Sequence, residues 1–333
     1  MTTLAARRRA SAASQGVAAD VAAEALARGN AVDAVAAAVL AAAAESPSVL
    51  LGPVQILVGG AGAGLRAIDG RNLQPGVGQP RPRGFREGDV VPPAARVATP
   101  ALPAALAAAL ALGAGATLAR ALGPAIEIAR AKSKERAATL RRLSRRGAGA
   151  MGESAIRDEL LAAAGRVAGG VLGEGDFDAV LPQVASARLR ERGALEIASV
   201  PWCEGANGSA VEIVAAADAR GLVAVASYEI APEGLSIDAL GLVAPFAAEP
   251  VRRGETRVRP GSPRPAAAPI ALALREAVVE LAMGAPRARD AEKILFAAMD
   301  AAGDAAELTL ATLGAPETLV AVARTRDAAR VVR

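Results

Sequence analysis

Few side chains in this 333-residue protein are suited to covalent chemistry, because it contains no histidine and only one cysteine, Cys203. The lack of histidine excludes Ser-His-Asp and Cys-His catalysis and histidine-ligated metal sites. A single cysteine excludes an intramolecular disulfide and a cluster of thiolates. Any catalysis must therefore use carboxylates, hydroxyls, the lone thiol, lysine or arginine, backbone amides or a free α-amine. We expect no cofactor and no metal.

The signals for helices and strands divide the chain into a helix-rich first half and a strand-rich second half. Helices are predicted at residues 17–26, 31–44, 103–112, 116–131 and 153–168, with a later one at 293–301. Strands are predicted at residues 54–58, 65–68, 195–200, 210–217, 222–227, 270–274, 278–283 and 319–323. This grouping favours a layered α+β domain over an alternating, doubly wound one.

The charge pattern gives little sign of a nucleic-acid partner. The net charge is +4, from 38 basic and 34 acidic residues. Residues 130–146 are predicted to form a basic helix or an exposed linker, and no aromatic residue lies among them to stack on bases. A solvated helix face is the better interpretation. We therefore expect no nucleic-acid partner, and the oligomeric state stays open.

Residues 101–119 are long enough to suggest a membrane span. They are mainly alanine and glycine, with Pro103 near the start and Arg120 after the end, so a buried helix is the better interpretation. The basic run at residues 7–9 is not followed by the apolar stretch of a secretory signal. We expect a cytoplasmic protein without a membrane partner.

The N-terminal helices carry a resemblance to a known family. Residues 29–34 (Gly-Asn-Ala-Val-Asp-Ala), within residues 23–38, resemble the opening helices of gamma-glutamyltranspeptidases. Residues 45–47 and 59–60 stand where that family has a Glu-Pro pair and a polyglycine strand. Residues 123–129 look like its Pro-Ala-Ile-Glu-Leu-Ala helix. The resemblance covers the first third of the chain well and the remainder in outline.

This resemblance implies a fold and a division of the chain. The implied fold is an α+β, four-layer αββα sandwich of the N-terminal nucleophile hydrolase type, in a shortened form. The chain is then a single domain over residues 1–333. Residues 1–205 correspond to the family's large subunit, and residues 206–333 correspond to its small subunit.

The resemblance also implies a role for Arg71. Residues 68–75 (Ile-Asp-Gly-Arg-Asn-Leu-Gln-Pro) are similar to the family motif Leu-Asp-Phe-Arg-Glu-Thr-Ala-Pro, in which the arginine holds the α-carboxylate of the glutamyl group. Arg71 is therefore the candidate anchor for a small-molecule carboxylate or gamma-glutamyl-like compound, through its planar, two-point guanidinium. A surface or loop-pairing arginine is the alternative interpretation.

The nucleophile is the least certain part of the implied site. Family members cleave themselves to expose a threonine, whose hydroxyl attacks while its own α-amine serves as base. Counting back from the turn at residues 218–221 reaches Val211 and Glu212, and neither is a hydroxyl nucleophile. Ser209 fits if the hairpin is about two residues longer than in the family. A turn or strand-entry serine is the alternative.

Cys203 is the rival nucleophile, although it falls well before the position that the family uses. A lone cysteine is usually a small buried hydrophobe. As a nucleophile, Cys203 needs a base or another means of lowering its pKa, and the sequence shows none.

Several other groups of the implied site are missing. Residues 242–247 replace an acidic loop that holds the substrate amine, and they contain no carboxylate. Ala267 and Ala268 replace a pair of serines. Arg287 and Ala288 replace two glycines of an oxyanion loop. Their backbone amides are the candidate oxyanion donors. A long segment before Ser209 is also missing, so we expect no self-cleavage.

These features give one leading function and two alternatives. The leading interpretation is a gamma-glutamyltransferase-like amide hydrolase or acyltransferase with a degenerate active site. The first alternative is an inactive family member that acts as a binding or scaffold protein. The second is an amidase that acts on a different acyl group through Ser209. Whether the protein is an enzyme stays open at this point.

Overall fold

Two antiparallel sheets form the centre of the fold in the computed structural model, which describes residues 9–60, 62–202, 211–286, 293–295, 319–324 and 329–332. In chain order the strands are β1 (Ala10–Ala13), β2 (Val54–Gly59), β3 (Arg66–Gly70), β4 (Gln183–Ser186), β5 (Arg188–Arg192), β6 (Leu195–Ser199), β7 (Val211–Ala217), β8 (Val223–Glu229), β9 (Gly234–Ile237), β10 (Leu242–Pro245), β11 (Ile270–Arg275), β12 (Val278–Gly284), β13 (Val320–Arg324) and β14 (Ala329–Val332). The first sheet has the order β1-β7-β8-β2-β3-β4 and the second the order β14-β13-β12-β11-β6-β5. Strands β9 and β10 form a separate hairpin.

A layer of helices covers the outer face of the first sheet. The helices are α1 (Gly16–Arg28), α2 (Ala31–Glu45), α3 (Leu102–Gly113), α4 (Leu118–Lys132), α5 (Lys134–Arg146), α6 (Ser154–Ala164) and α7 (Glu174–Asp178). Helix α2 packs between α1, α4 and strands β7 and β8, so every residue from Ala31 to Ala44 is buried. This setting explains why α2 is apolar on all sides.

The two sheets pack face to face through a hydrophobic core. Leu57 and Val225 of the first sheet meet Leu272 and Val279 of the second. Gly59 lies at this contact, and a Cβ there would come within 2.9 Å of side-chain atoms of both Leu272 and Val279. The two sheets therefore approach so closely at position 59 that only glycine fits without displacing a neighbour.

The outer face of the second sheet is also covered by apolar side chains. Leu195, Ile197, Leu281 and Met283 form a buried cluster that includes Leu295. Residues 293–295 are helical. They are the described part of the helix predicted at 293–301, whose other residues lie outside the described part of the chain. Helices, two sheets and this short helical segment follow one another as layers.

The motif at residues 29–34 ties the start of α2 to the loop between α3 and α4. The Asn30 side chain accepts a hydrogen bond from the Asp33 amide, while the Asp33 carboxylate accepts one from the Asn30 amide, so the two form a capping box. The same carboxylate accepts a hydrogen bond from the Ala116 amide at 2.7 Å. The Asn30 amide group donates to the carbonyl of Gly113 at 2.9 Å. This motif therefore has a structural role in the helical layer.

Most of the predicted elements are confirmed. Strands β7 and β8 lie inside the first sheet and β6 lies inside the second, while α1 and α2 cover the first sheet as expected. The helix predicted at 153–168 ends earlier, at Ala164, and a short 3₁₀ turn follows Gly165. Strands β1, β4 and β5 were not predicted from the sequence.

Residues 130–146 are helical, as the end of α4 and the whole of α5. Arg136 is buried and donates to the carbonyls of Ala44 and Glu45 at the end of α2 and to that of Gly241. Arg136, one of the basic residues at positions 130–146, therefore holds α5 against the end of α2. Within the described ranges, no helix is both long and apolar enough to cross a membrane.

Candidate functional site

Three polar side chains form a row on the inner face of the first sheet, at the end where β2 begins. Gln55 of β2 pairs in register with Asp69 of β3 on one side and with Ser227 of β8 on the other. Gln55 and Ser227 lie two residues from Leu57 and Val225 of the core, so they share that face of the sheet. Asp69 pairs in register with Gln55 and therefore points to the same face. All three are buried, and the Ser227 hydroxyl has no hydrogen-bond partner among the described residues. The hydrophobic core therefore ends in a buried polar patch.

Gln55 connects this row to the chain segments that flank the second sheet. Its amide nitrogen donates to the carbonyls of Ala266 and Ala267, each at 3.1 Å. Its amide oxygen accepts a hydrogen bond from the indole nitrogen of Trp202 at 2.7 Å. Trp202 follows β6, and the two alanines precede β11. One glutamine side chain thus joins the two sheets at this end.

Arg71 is paired within the protein. Its Nε lies 3.0 and 3.1 Å from the two carboxylate oxygens of Asp69, and its Nη2 lies 2.7 Å from Asp69 Oδ2. The guanidinium also lies over the ring of Trp202, 5.6 Å from the ring centre. Nη1 makes no hydrogen bond within the described part of the chain, and Nη2 makes one with its two hydrogens, so both retain donors for a ligand. The role of Arg71 as a carboxylate anchor stays a prediction, and it must compete with Asp69.

A cleft of about 380 Å³ adjoins this polar row. Its size falls in the range of small-molecule sites. Its polar lining includes Asn72, Glu229, Glu233 and Arg264, and its apolar lining includes Phe246. Four prolines complete much of the wall: Pro53, Pro232, Pro245 and Pro265. Because proline fixes its own backbone φ angle, these walls are largely preformed.

Glu229 is the most unusual group in the cleft. It is the last residue of β8 and pairs in register with Val211, the first residue of β7. No hydrogen bond or ion pair within the described residues involves its carboxylate. Burial raises the pKa of Glu229 above its ordinary value, since removal from water disfavours the charged form. An uncompensated carboxylate beside the start of β7 is a candidate binding or proton-transfer group.

Asn72 and Arg264 differ in how fully they are satisfied. The Asn72 amide nitrogen donates to the Leu51 carbonyl at 3.0 Å, but its buried Oδ1 has no partner among the described residues. Arg264 donates from Nε to the Ala247 carbonyl at 3.0 Å and from Nη2 to Glu249 at 3.1 Å. Asn72, which lines the cleft, therefore has an unsatisfied acceptor that is closed to solvent in this structure, while the Arg264 cation is paired with Glu249.

The predicted site residues fall unevenly in the structure. Cys203, Ser209, Arg287 and Ala288 lie outside the described residues, so their roles stay predictions. Val211, which the family spacing indicates, is a buried residue facing the second sheet. In the described part of the chain, no cluster of three or more carboxylate or thiol side chains is arranged to hold a metal ion.

The structure adds groups that the sequence did not single out. Phe246 and Ala247, where the resemblance places lost carboxylates, do line the cleft, but Glu229 brings a different carboxylate into it. One sequence signal for Glu229 exists, because it is the one charged residue of the strand at residues 223–229. Asn72 lies next to Arg71 in the sequence, yet nothing in the pattern indicates that its side chain is buried.

We expect Glu229→Gln to change how stability depends on pH. The pKa of a glutamate in the unfolded chain is near 4.3. In the folded protein the pKa of Glu229 lies above that value. The folded protein therefore loses stability as the pH rises from that value through the folded pKa, because it binds the proton more strongly. Glutamine does not titrate, so the variant lacks this loss of stability. The free energy of unfolding of the variant minus that of the wild type should therefore rise across this pH window and stay constant above it. Urea unfolding between acidic and neutral pH measures the difference.

The exposed Glu233 provides the matched control. Glu233→Gln removes one carboxylate from the rim of the same cleft. We expect its effect on the free energy of unfolding to change less with pH than that of Glu229→Gln. Equal pH dependence of the two variants would mean that Glu229 is as well solvated as Glu233.

Comparison with known proteins places the fold. No protein-family model and no curated protein matches the sequence. A variant of LmbA2991 is 14% identical with a TM-score of 0.74, covering 99% of this chain and 97% of that chain. The cephalosporin acylase from Bacillus halodurans is 13% identical with a TM-score of 0.72, covering 90% of this chain and 82% of that chain. At these identities the likeness shows the fold alone.

The predicted fold is confirmed as a mixed α/β structure with antiparallel sheets, the architecture of N-terminal nucleophile hydrolases. A gamma-glutamyltranspeptidase from Pseudomonas nitroreducens matches more weakly, with 19% identity and a TM-score of 0.48 over 57% of this chain and 70% of that chain. No family model or curated relative shows the family, so membership of the gamma-glutamyltranspeptidases stays a proposal.

Proposed function

We propose that this protein is a gamma-glutamyltransferase-like amide hydrolase or acyltransferase whose catalytic site is degenerate. Its remaining role is to bind a small molecule in the cleft beside Glu229. The observation that carries the proposal is the Glu229 carboxylate, unpaired among the residues that the structure describes, in a cleft at the start of β7. Both segments, residues 1–205 and 206–333, belong to one domain and one continuous chain in this proposal.

The shortage of reacting groups supports loss of catalysis. An amide hydrolase of this kind needs a hydroxyl that attacks the carbonyl carbon and a base that takes the hydroxyl proton. That proton then passes to the departing amine, and water releases the acyl group from the hydroxyl oxygen. Neither Val211 nor Glu212 has a hydroxyl, and Asp69 accepts hydrogen bonds from two of the three guanidinium nitrogens of Arg71. Substrate binding without turnover is the function that these groups support best.

An active amidase that uses Ser209 is the second candidate. It is favoured by the likeness to a protein named as an acylase over 90% of this chain. In this candidate, cleavage of the Gly208–Ser209 bond frees the Ser209 α-amine, which serves as the base for the Ser209 hydroxyl. The acyl group need not be glutamyl, because the carboxylate and amine contacts of the resemblance are altered.

Intact-protein mass spectrometry separates these two candidates. We expect purified protein to give one species at its full mass of 33.1 kDa. We also expect the same preparation to release no amine from a gamma-glutamyl anilide. The reason is that the family's segment before the cleavage point has no counterpart here, and that Val211 and Glu212, at the positions the family spacing indicates, have no hydroxyl.

A Ser209→Ala variant is the control for this experiment. If the wild type divides before residue 209 and Ser209→Ala does not, the active amidase becomes the better candidate. Cleavage of both proteins at the same bond would instead indicate a contaminating protease. Anilide hydrolysis by the wild type that Ser209→Ala abolishes would overturn the proposal of a degenerate site.

A further inference from the structure

We infer that the cleft binds an organic cation, made of a primary ammonium group on a compact apolar body without a carboxylate, and that Glu229 is its counter-ion. This inference rests on the proposed binding role of the cleft and names the class of ligand. It is carried by the charges, free acceptors and wall residues of the cleft.

The charge balance of the cleft favours a cation. Glu229 and Glu233 line it, and among the described lining residues Arg264 is the one base. Arg264 is neutralised by Glu249 and makes a further hydrogen bond to the Ala247 carbonyl. Glu229 has no such compensation within the described residues. Glu229 is half-buried. Partial removal of a carboxylate from water without a partner costs free energy, and an ammonium ligand reduces that cost.

The free hydrogen-bonding atoms also match an ammonium group. The Asn72 Oδ1 acceptor is buried, its residue is 2% exposed, and it has no partner among the described residues. An ammonium has three donors and no acceptor, so it suits the Glu229 carboxylate, and Asn72 Oδ1 becomes a second acceptor only if the Asn72 side chain turns toward the ligand. A carboxylate has only acceptors, and in this cleft it would meet the like charge of Glu229.

The walls define the rest of the ligand. The Phe246 ring and the prolines Pro53, Pro245 and Pro265 give the cleft apolar sides. A cavity of about 380 Å³ holds a compact organic body in addition to the ammonium group. An α-amino acid fits this arrangement poorly, because its carboxylate must enter a cleft whose described cation is already paired.

Three probes with one phenyl-ethyl skeleton test the inference by calorimetric titration near neutral pH. 2-Phenylethylamine carries the ammonium alone, phenylalanine adds a carboxylate, and 3-phenylpropionate carries a carboxylate alone. We expect the amine to bind at least about tenfold more tightly than either of the others, as a charged hydrogen-bonded pair provides. If 3-phenylpropionate or phenylalanine binds as tightly as the amine, the inference is wrong.

Glu229→Gln and Glu233→Gln form the matched pair of variants. Glu229→Gln should weaken amine binding by about tenfold or more, whereas the exposed Glu233→Gln should weaken it by about threefold or less. Unchanged amine binding in Glu229→Gln overturns the inference, as does the absence of amine binding to the wild type. Thermal unfolding checks that both variants fold, and the three-probe comparison on the wild type stands even if Glu229→Gln does not fold.

Failure of this inference can be distinguished from failure of the proposed function. The proposed function fails if the chain cleaves itself and hydrolyses amides through Ser209, which mass spectrometry and the anilide assay detect. The ligand class fails on the titrations alone. If the protein is cleaved and active but still prefers 2-phenylethylamine, the inferred ligand class stands and the proposed function is wrong.

Discussion

Replacing Asp33 with alanine is expected to lower the free energy of unfolding by about 2 kcal/mol. The Asp33 carboxylate accepts hydrogen bonds from the amides of Asn30 and Ala116, and its side chain is buried against the loop after α3. Alanine removes half of the capping box at the start of α2 and leaves both amides without this partner. Because α2 is the most deeply buried helix, its weakened start should affect global stability.

Urea unfolding followed by circular dichroism measures this change. Asp20→Ala is the matched control, since Asp20 is an exposed aspartate on the neighbouring helix α1. We expect the control to change the free energy of unfolding by less than about 0.5 kcal/mol. An equally small effect of Asp33→Ala would show that the motif at residues 29–34 is not needed for folding and would reopen a functional role for it.

The elements that could be predicted are those whose local signals agree with their final surroundings. The hairpin of β7 and β8 is an example: the Asp218 side chain accepts from the amides of Arg220 and Leu222, and Gly221 has a φ of 96°. Four adjacent residues are enough to specify such a turn. Helix α2 is likewise specified by its capping box and its continuous apolar run.

Strands at the sheet edges could not be predicted, because their sequences do not alternate between apolar and polar residues. Strand β5 is largely exposed and contains Arg190 and Glu191, and β1 is a short segment of alanine and serine. Each is a strand because a neighbouring strand offers free backbone groups to it. Strand β1 pairs with β7, about 200 positions later in the chain.

The candidate site was predictable only in part, because its contacts join distant segments. Arg71 was singled out by a motif, but its stacking on Trp202 and the bond from Trp202 to Gln55 depend on tertiary packing. Glu229 enters the cleft because β8 ends beside the segment that carries Arg264. No local pattern brings these positions together, so a sequence can suggest the residue types but not the cleft.

Replacing Arg71 with alanine is expected to cost about 3 kcal/mol of stability, in addition to any effect on ligands. The Asp69 side chain is 3% exposed, and Arg71 is its ion-pair partner. Its loss leaves a buried carboxylate that retains one hydrogen bond, from the Arg71 backbone amide at 2.9 Å. Removal of one member of a buried ion pair is more damaging than replacement of both. Urea unfolding should therefore show a large loss for Arg71→Ala.

The double variant Asp69→Ala with Arg71→Ala tests whether the pair is responsible. We expect it to be less destabilised than the sum of the two single variants, with a coupling energy of about 1–3 kcal/mol. Arg66→Ala on the same strand is the control, because Arg66 is exposed and its one described hydrogen bond, to Ser186, is 3.3 Å long. Its effect should stay below about 1 kcal/mol.

The same variants decide whether Arg71 is a carboxylate anchor. Asp69→Asn removes the competing charge while keeping a side chain of similar size beside the guanidinium. If Arg71 holds ligand carboxylates, titration with 3-phenylpropionate should show tighter binding to Asp69→Asn than to the wild type. This gain should disappear in the Asp69→Asn variant that also carries Arg71→Ala. If the wild type and Asp69→Asn bind 3-phenylpropionate equally and the coupling energy is large, Arg71 has only a structural role, as the partner of Asp69 and Trp202.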